Sequence, residues 1–201
     1  MIRTQTARLV PLLLLAMAPA FAQEGKPPAM TPEEQAMFAA YQKAGSPGPE
    51  HATLAAMAGS YDLAVRSWHR PGAEPSVDKG RATRRMILGN RVLVEEVEAQ
   101  MMGQPFSGLG LHGFDNVTGK YWSTWNDSMS TGLMVSEGTC DDAGACTYTG
   151  RYNDAVSKQP VTTRMTTRWT DPSTEVFEMY GPGPGGKEAK MMEITYRKRA
   201  P

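Results

Sequence analysis

At 201 residues the chain is long enough for one domain and a short extension. Its 21 basic residues balance 21 acidic ones, and no arginine-rich run or basic helix occurs. Bulk charge therefore excludes attraction to nucleic acid or to an anionic membrane surface.

The first 22 residues, MIRTQTARLVPLLLLAMAPAFA, combine Arg3 and Arg8 with an apolar run from Leu9 to Ala18 and an Ala20-Phe21-Ala22 cleavage signal. This pattern predicts a signal peptide over 1–22, cut near Ala22, and export to the periplasm or beyond. The apolar run is too short to cross ~30 Å of hydrocarbon as a helix, so no transmembrane segment is expected. No cysteine follows the cleavage point to carry a lipid anchor. Loss of Arg3 and Arg8 from the 21 basic residues, against 21 acidic, leaves a net charge near −2.

Residues 23–58 read as a leader followed by one or two short helices. In TPEEQAMFAAYQKAG, Thr31 suits the N-cap, Pro32 the first helical position, and Glu33 and Glu34 the positive end of the helix dipole. Met37, Phe38, Tyr41 and Ala44 fall near one face. PEHATLAAMAG predicts a second helix, stopped by Gly59. The pair could cap the domain that follows or dock on a partner.

From residue 59 to 199 the character changes. Thr, Val, Tyr and Trp become common and turn signals recur about every ten residues. Strands are predicted over 60–69, 76–88, 91–101, 106–115, 120–127, 131–139, 146–154, 160–170, 174–181 and 187–198. In ILGNRV, Gly89-Asn90 reads as a two-residue hairpin. No helix-length segment separates the strands, so parallel crossovers are excluded. An all-β, antiparallel up-and-down barrel of about ten strands follows, closed so that no edge is left exposed.

Alternation assigns faces. Val161, Thr163, Met165, Thr167 and Trp169 oppose Thr162, Arg164, Thr166 and Arg168, which belong outside. Tyr61, Leu63 and Val65 form another inner row, as do Met192, Ile194 and Tyr196. Two strands stay open. In 91–101, Leu93, Val97 and Met101 share a face with Glu95, and a bulge near Glu95–Glu96 would switch the phase. In 174–181, Phe177 and Met179 compete with Val176, Glu178 and Tyr180. Around YWSTWND, either Trp122, Thr124 and Asn126 face inward, or Tyr121, Ser123 and Trp125 do, with Asp127 at the rim. In FSGLGLHGF, Phe106, Gly108, Gly110, His112 and Phe114 share a face. Cys140 and Cys146 flank a polar loop and predict a hairpin disulfide.

The segments MAGSYDL, MILGNRVLVEEVEAQMMGQPFSGLGLHGFDNVTGKYWSTWNDSMSTGLMVSEGT and FEMYGPGPGGKEAKMMEITYRKR resemble the bacterial domain of unknown function 1579 family, over roughly Leu54 to Arg199. The resemblance implies a lipocalin-like, calycin-type barrel and no established activity. Such barrels typically open on a helix and Gly-x-Trp. Here Gly59-Ser60-Tyr61 holds that place, so Tyr61 would be the aromatic plug at the closed end.

The leading functional expectation is a module that binds a small apolar or amphipathic ligand inside the barrel. Its candidate lining is Trp122, Asn126, Met134, Met165, His112 and Glu178, a mostly apolar wall with a few polar groups. One alternative is a haem-binding barrel with His112 as axial ligand. Another is an enzyme in which Glu95, Glu178, Asp127 and His112 meet, although no recognisable catalytic motif occurs and no catalytic residue is assigned. Met101-Met102 and Met191-Met192 raise soft-metal binding, but adjacent strand residues point to opposite faces and cannot chelate together. Neither a cofactor nor a metal is expected, and no protein partner is assigned.

Overall fold

The computed structural model describes residues 30–200; the expected signal peptide over 1–22 lies outside the described residues. Two helices come first, α1 (Pro32–Gly45) and α2 (Pro49–Ala56). Ten strands follow: β1 (Gly59–Ser67), β2 (Ser76–Ile87), β3 (Val92–Met101), β4 (Gln104–Asp115) and β5 (Lys120–Asp127), then β6 (Ser130–Cys140), β7 (Cys146–Asn153), β8 (Pro160–Asp171), β9 (Thr174–Pro182) and β10 (Glu188–Lys198). Each strand pairs antiparallel with its chain neighbours, and β1 pairs with β10, closing the barrel. No helix among the described residues is long and apolar enough to cross a membrane.

α1 starts where its cap chemistry dictates. The Glu34 N–H donates to Thr31 Oγ1 at 3.2 Å, and the Thr31 N–H donates to Glu34 Oε2 at 2.7 Å. The helix buries none of its residues. Its C-terminal end is tied to the barrel rim by polar contacts. Asn116 Nδ2 donates to the carbonyls of Ala44 (3.0 Å) and Ser46 (2.8 Å), and Arg91 Nε donates to that of Gly45 (2.8 Å).

α2 is the cap proper and packs against β2, β3 and β4. His51 and Leu54 are buried, and the His51 ring meets Phe114 edge-on at 6.0 Å. The fully buried Tyr61 donates its hydroxyl to the Met57 carbonyl at 2.6 Å, joining the cap to the barrel floor.

Register settles the open phases. β3 pairs with β2 and β4 without interruption, so the bulge expected near Glu95–Glu96 is absent. Leu93, Glu95 and Val97 all face inward, because Glu95 has a charged partner there and needs no escape to water. Bulges instead lie at Trp125/Asp127, Trp169/Asp171 and Lys190/Met192. In β9, Phe177 pairs with Ile194 and Glu175 with Tyr196, which puts Glu175 inside and Glu178 outside. The Gly89-Asn90 hairpin is longer than two residues. Ile87 pairs with Val92, and Leu88, Gly89 and Asn90 all adopt left-handed backbone at φ 51°, 62° and 64°. Four residues, 88–91, therefore separate the paired ends of β2 and β3. The disulfide between Cys140 and Cys146 joins β6 to β7 across their hairpin.

Candidate functional site

The inner wall is layered. On the side away from α2, the mouth is largely apolar: Phe106, Trp125, Met192, Ala99 and Val65 pack together, with Phe106 and Trp125 stacked at 6.5 Å. Glycine makes that stack achievable. A Cβ at Gly108 would lie 2.4 Å from Trp125 Cζ2, so the indole rests flat on the β4 backbone. Trp125 Nε1 donates to Asp127 Oδ2 at 3.0 Å, which fixes the indole at the rim. An open recess on the outer side of β3, β4 and β5 near this end is lined by Glu96, Glu98, Leu109 and Asn126 among others.

Toward the capped end the wall turns polar. Arg84 on β2 stands directly opposite Glu95 on β3, and its Nη2 donates to Glu95 Oε1 at 3.3 Å. The same guanidinium spans the floor over the rings of Tyr61 (4.8 Å) and Tyr196 (4.4 Å), and its Nη1 donates to Glu175 Oε2 on β9 at 2.5 Å. All three charged side chains are 2–4% exposed. His112 Nε2 lies 3.1 Å from Glu95 Oε2. Gly110 makes room for that contact, since a Cβ there would sit 2.9 Å from His112 Nε2.

Burial penalises the charge of Glu95, yet Arg84 and the His112 hydrogen bond outweigh it and hold its pKa at about 2. Burial would likewise lower Arg84, but Glu95 and Glu175 keep it well above its ordinary value. Tyr148 and Tyr196 are both pushed up, chiefly by burial, and stay neutral phenols at ordinary pH. Among the described residues, Arg84 Nε, Ser136 Oγ and Thr163 Oγ1 are buried without a hydrogen-bond partner.

Several inward-facing side chains nevertheless stay partly accessible. His112 faces inward with 30% of its side chain accessible, and the inward-facing Ser123, Trp125, Met134, Phe177 and Ile194 are only half-buried.

The six expected lining residues divide evenly. His112, Met134 and Met165 face the lumen, and Met134 and Met165 converge on Gly150. Trp122 and Asn126 do not, because β5 takes the phase of Tyr121, Ser123 and Trp125. Trp122 instead covers Gly113 from outside, and Asn126 Nδ2 donates to the Gly132 carbonyl at 2.9 Å. Glu178 is an outer-face residue, bonded to Lys190 and, at 3.2 Å, to Arg168. Arg84 and Glu175 were not among the candidates. Both were readable, since Arg84 alternates in phase with Ala82, and Glu175 with Phe177 and Met179.

Of the two His112 ring nitrogens, Nε2 is engaged by the buried Glu95 carboxylate. The carboxylates that an acid–base enzyme would use are separated: Glu95 and His112 meet, Asp127 bonds Trp125 at the rim, and Glu178 lies outside.

A family model described as "Protein of unknown function (DUF1579)" matches residues 46–198. No curated protein matches the chain. Among solved structures it is similar to Rv2717c from M. tuberculosis, at 12% identity over 77% of this chain and 100% of that one, with a TM-score of 0.60. It is also similar to a redesigned β-barrel, at 11% identity over 77% of this chain and 100% of that one, with a TM-score of 0.39. At 12% identity the likeness to Rv2717c is one of fold alone.

Proposed function

The chain belongs to the DUF1579 family, proteins of unknown function, and from the chemistry of its lumen we propose that it is an exported binding protein that holds one small amphipathic ligand inside the barrel. The observation that carries this reading is the partial exposure of inward-facing side chains in a closed barrel, His112 at 30% above all. A barrel serving only as a structural core would bury them. An apolar mouth over a hydrogen-bonding floor suits a ligand with one greasy and one polar end. His112, Met134 and Met165 remain in the proposed lining, joined by Trp125 and the Arg84–Glu95–Glu175 floor.

Nile red, a neutral polarity-sensitive dye, tests the reading. Saturable one-to-one binding, weakened by filling the lumen from the inward-facing, half-buried position of Ser123 with Ser123→Leu, is expected. Emission that rises without saturation, or is unchanged in that variant, would contradict it. Export is part of the same proposal, supported by the disulfide and the leader composition. Cell fractionation and N-terminal sequencing should find a mature chain starting at Gln23. A full-length chain retained in the cytoplasm would overturn export.

A further inference from the structure

The inner wall carries an uneven charge. Resting on the lumen-binding proposal, we infer that the ligand is an amphipathic cation, an amine or quaternary ammonium with an apolar body. Four carboxylates lie on inward-facing strand positions. Glu95 and Glu175 sit at the floor, Asp127 shares the face of Trp125, and Asp78 stands opposite the buried Val65. Only two permanently cationic side chains among the described strand residues share that wall. Arg84 is taken by both floor carboxylates. Lys198, opposite Tyr61, sits at the capped end, where its Nζ donates to the Ala56 carbonyl at 2.9 Å.

The mouth half therefore has two carboxylates and no basic side chain on the inner face of its strands. Asp78 makes no hydrogen bond or ion pair among the described residues. Asp127 accepts from Trp125 Nε1 and from the Met129 N–H at 2.9 Å. Low-dielectric walls focus such a field into the cleft.

Two further features bear on the ligand. Ser136 Oγ and Thr163 Oγ1, each 1% exposed, lie on inward-facing positions without partners among the described residues. Each can accept from an ammonium N–H or donate to an oxygen, so they mark a polar ligand end without choosing its charge. The stacked Phe106 and Trp125 then offer aromatic faces, the surfaces on which alkylammonium groups are recognised. A carboxylate ligand would meet repulsion at the mouth and, at the floor, an arginine whose charge is already countered by Glu95 and Glu175.

Equilibrium dialysis of the intact protein with three probes of equal chain length, decyltrimethylammonium, decanol and decanoate, below their micellar concentrations, tests this. The cation should bind at least ten-fold tighter than decanoate at low salt, with decanol between. Asp78→Asn/Asp127→Asn should cut that ratio at least three-fold. If the double variant does not fold, Asp78→Asn alone serves, since no bond is lost with it. Equal affinity for all three probes would overturn the charge inference and leave the lumen-binding proposal standing. So would selectivity unchanged by the variants. Tighter binding of decanoate would overturn it outright, and no binding of any probe would remove both proposals.

Discussion

Two clusters in this barrel use the same residue types to opposite ends. In the lumen, Arg84 bridges Glu95 and Glu175, and all three are nearly inaccessible. On the outer face, Lys190 bridges Glu178 and Glu193, with Arg168 and Arg66 reaching in from the neighbouring strands. Outside, water solvates whatever the partners leave unsatisfied, so the loss of one member is small. Inside, each carboxylate depends on the guanidinium between them, because removing a charge from water costs several kcal/mol and only close pairing offsets that. Position along the radius of the barrel, rather than the number of ion pairs, decides what a charge contributes.

The largest effect expected from that difference is at Arg84. Arg84→Met leaves two buried carboxylates without a counter-charge, and urea unfolding should show a loss of about 3–5 kcal/mol. Neutralising the orphaned partners as well, in Arg84→Met/Glu95→Gln/Glu175→Gln, should restore much of it, because a neutral core group does not carry the desolvation cost of an ion. A single variant within 1 kcal/mol of the parent would erase the distinction between the clusters.

Next in size is the response to acid. Glu95 has its pKa lowered from 4.5 to about 2 in the folded protein. Below 4.5 the unfolded chain takes up a proton that the folded one does not, so falling pH favours unfolding. The contribution is complete above about pH 5 and lost as pH falls through 2, an interval that amounts to about 3 kcal/mol. Stability measured from pH 6 to pH 2 should fall steeply in the parent and less steeply in Glu95→Gln. Equal slopes would mean that Glu95 does not carry the acid sensitivity.

The same contrast explains how far the fold and site could be read without coordinates. Ten strands, their antiparallel order, the disulfide and the inner rows of β1, β8 and β10 follow from alternation and turn residues, which are local. The phases of β3, β5 and β9 were ambiguous for one reason: each carries polar or charged residues on both faces. Alternation works only if a carboxylate is assumed to point outward. Glu178, expected in the lining, points outward, whereas Glu95 and Glu175 point inward to Arg84, 11 positions away in one case and 91 in the other. Trp122 and Trp125 differ likewise through their cross-strand neighbours, since Gly113 receives one indole outside and Gly108 the other inside. Of the expected lining, His112, Met134 and Met165 share the inward face, while Trp122, Asn126 and Glu178 lie on the outer one.

A smaller effect is expected where the lumen meets its cap. Tyr61→Phe keeps a ring beneath Arg84 but removes the hydroxyl that bonds the Met57 carbonyl. The global cost should be about 1 kcal/mol. Hydrogen exchange should quicken in α2 more than in β1, because the lost bond joins the cap to a floor that is otherwise retained. Uniform acceleration through both would show that cap and floor open as one unit.

The smallest effect belongs to the outer cluster. The carboxyl of Glu178 is held below its ordinary range, chiefly by the hydrogen bond from Lys190, yet Lys190 keeps Glu193 at 2.8 Å if Glu178 becomes glutamine. Glu178→Gln should therefore cost under about 1 kcal/mol at low salt. At 1 M salt the screening length falls to about 3 Å, and most of that difference should vanish. The deficit of Arg84→Met should persist in the same buffer, because ions do not enter a floor closed by Tyr61, Tyr196 and α2. Two salt titrations thus separate the clusters without reference to total stability. A salt-insensitive Glu178→Gln would mean that the outer network is as shielded as the inner one.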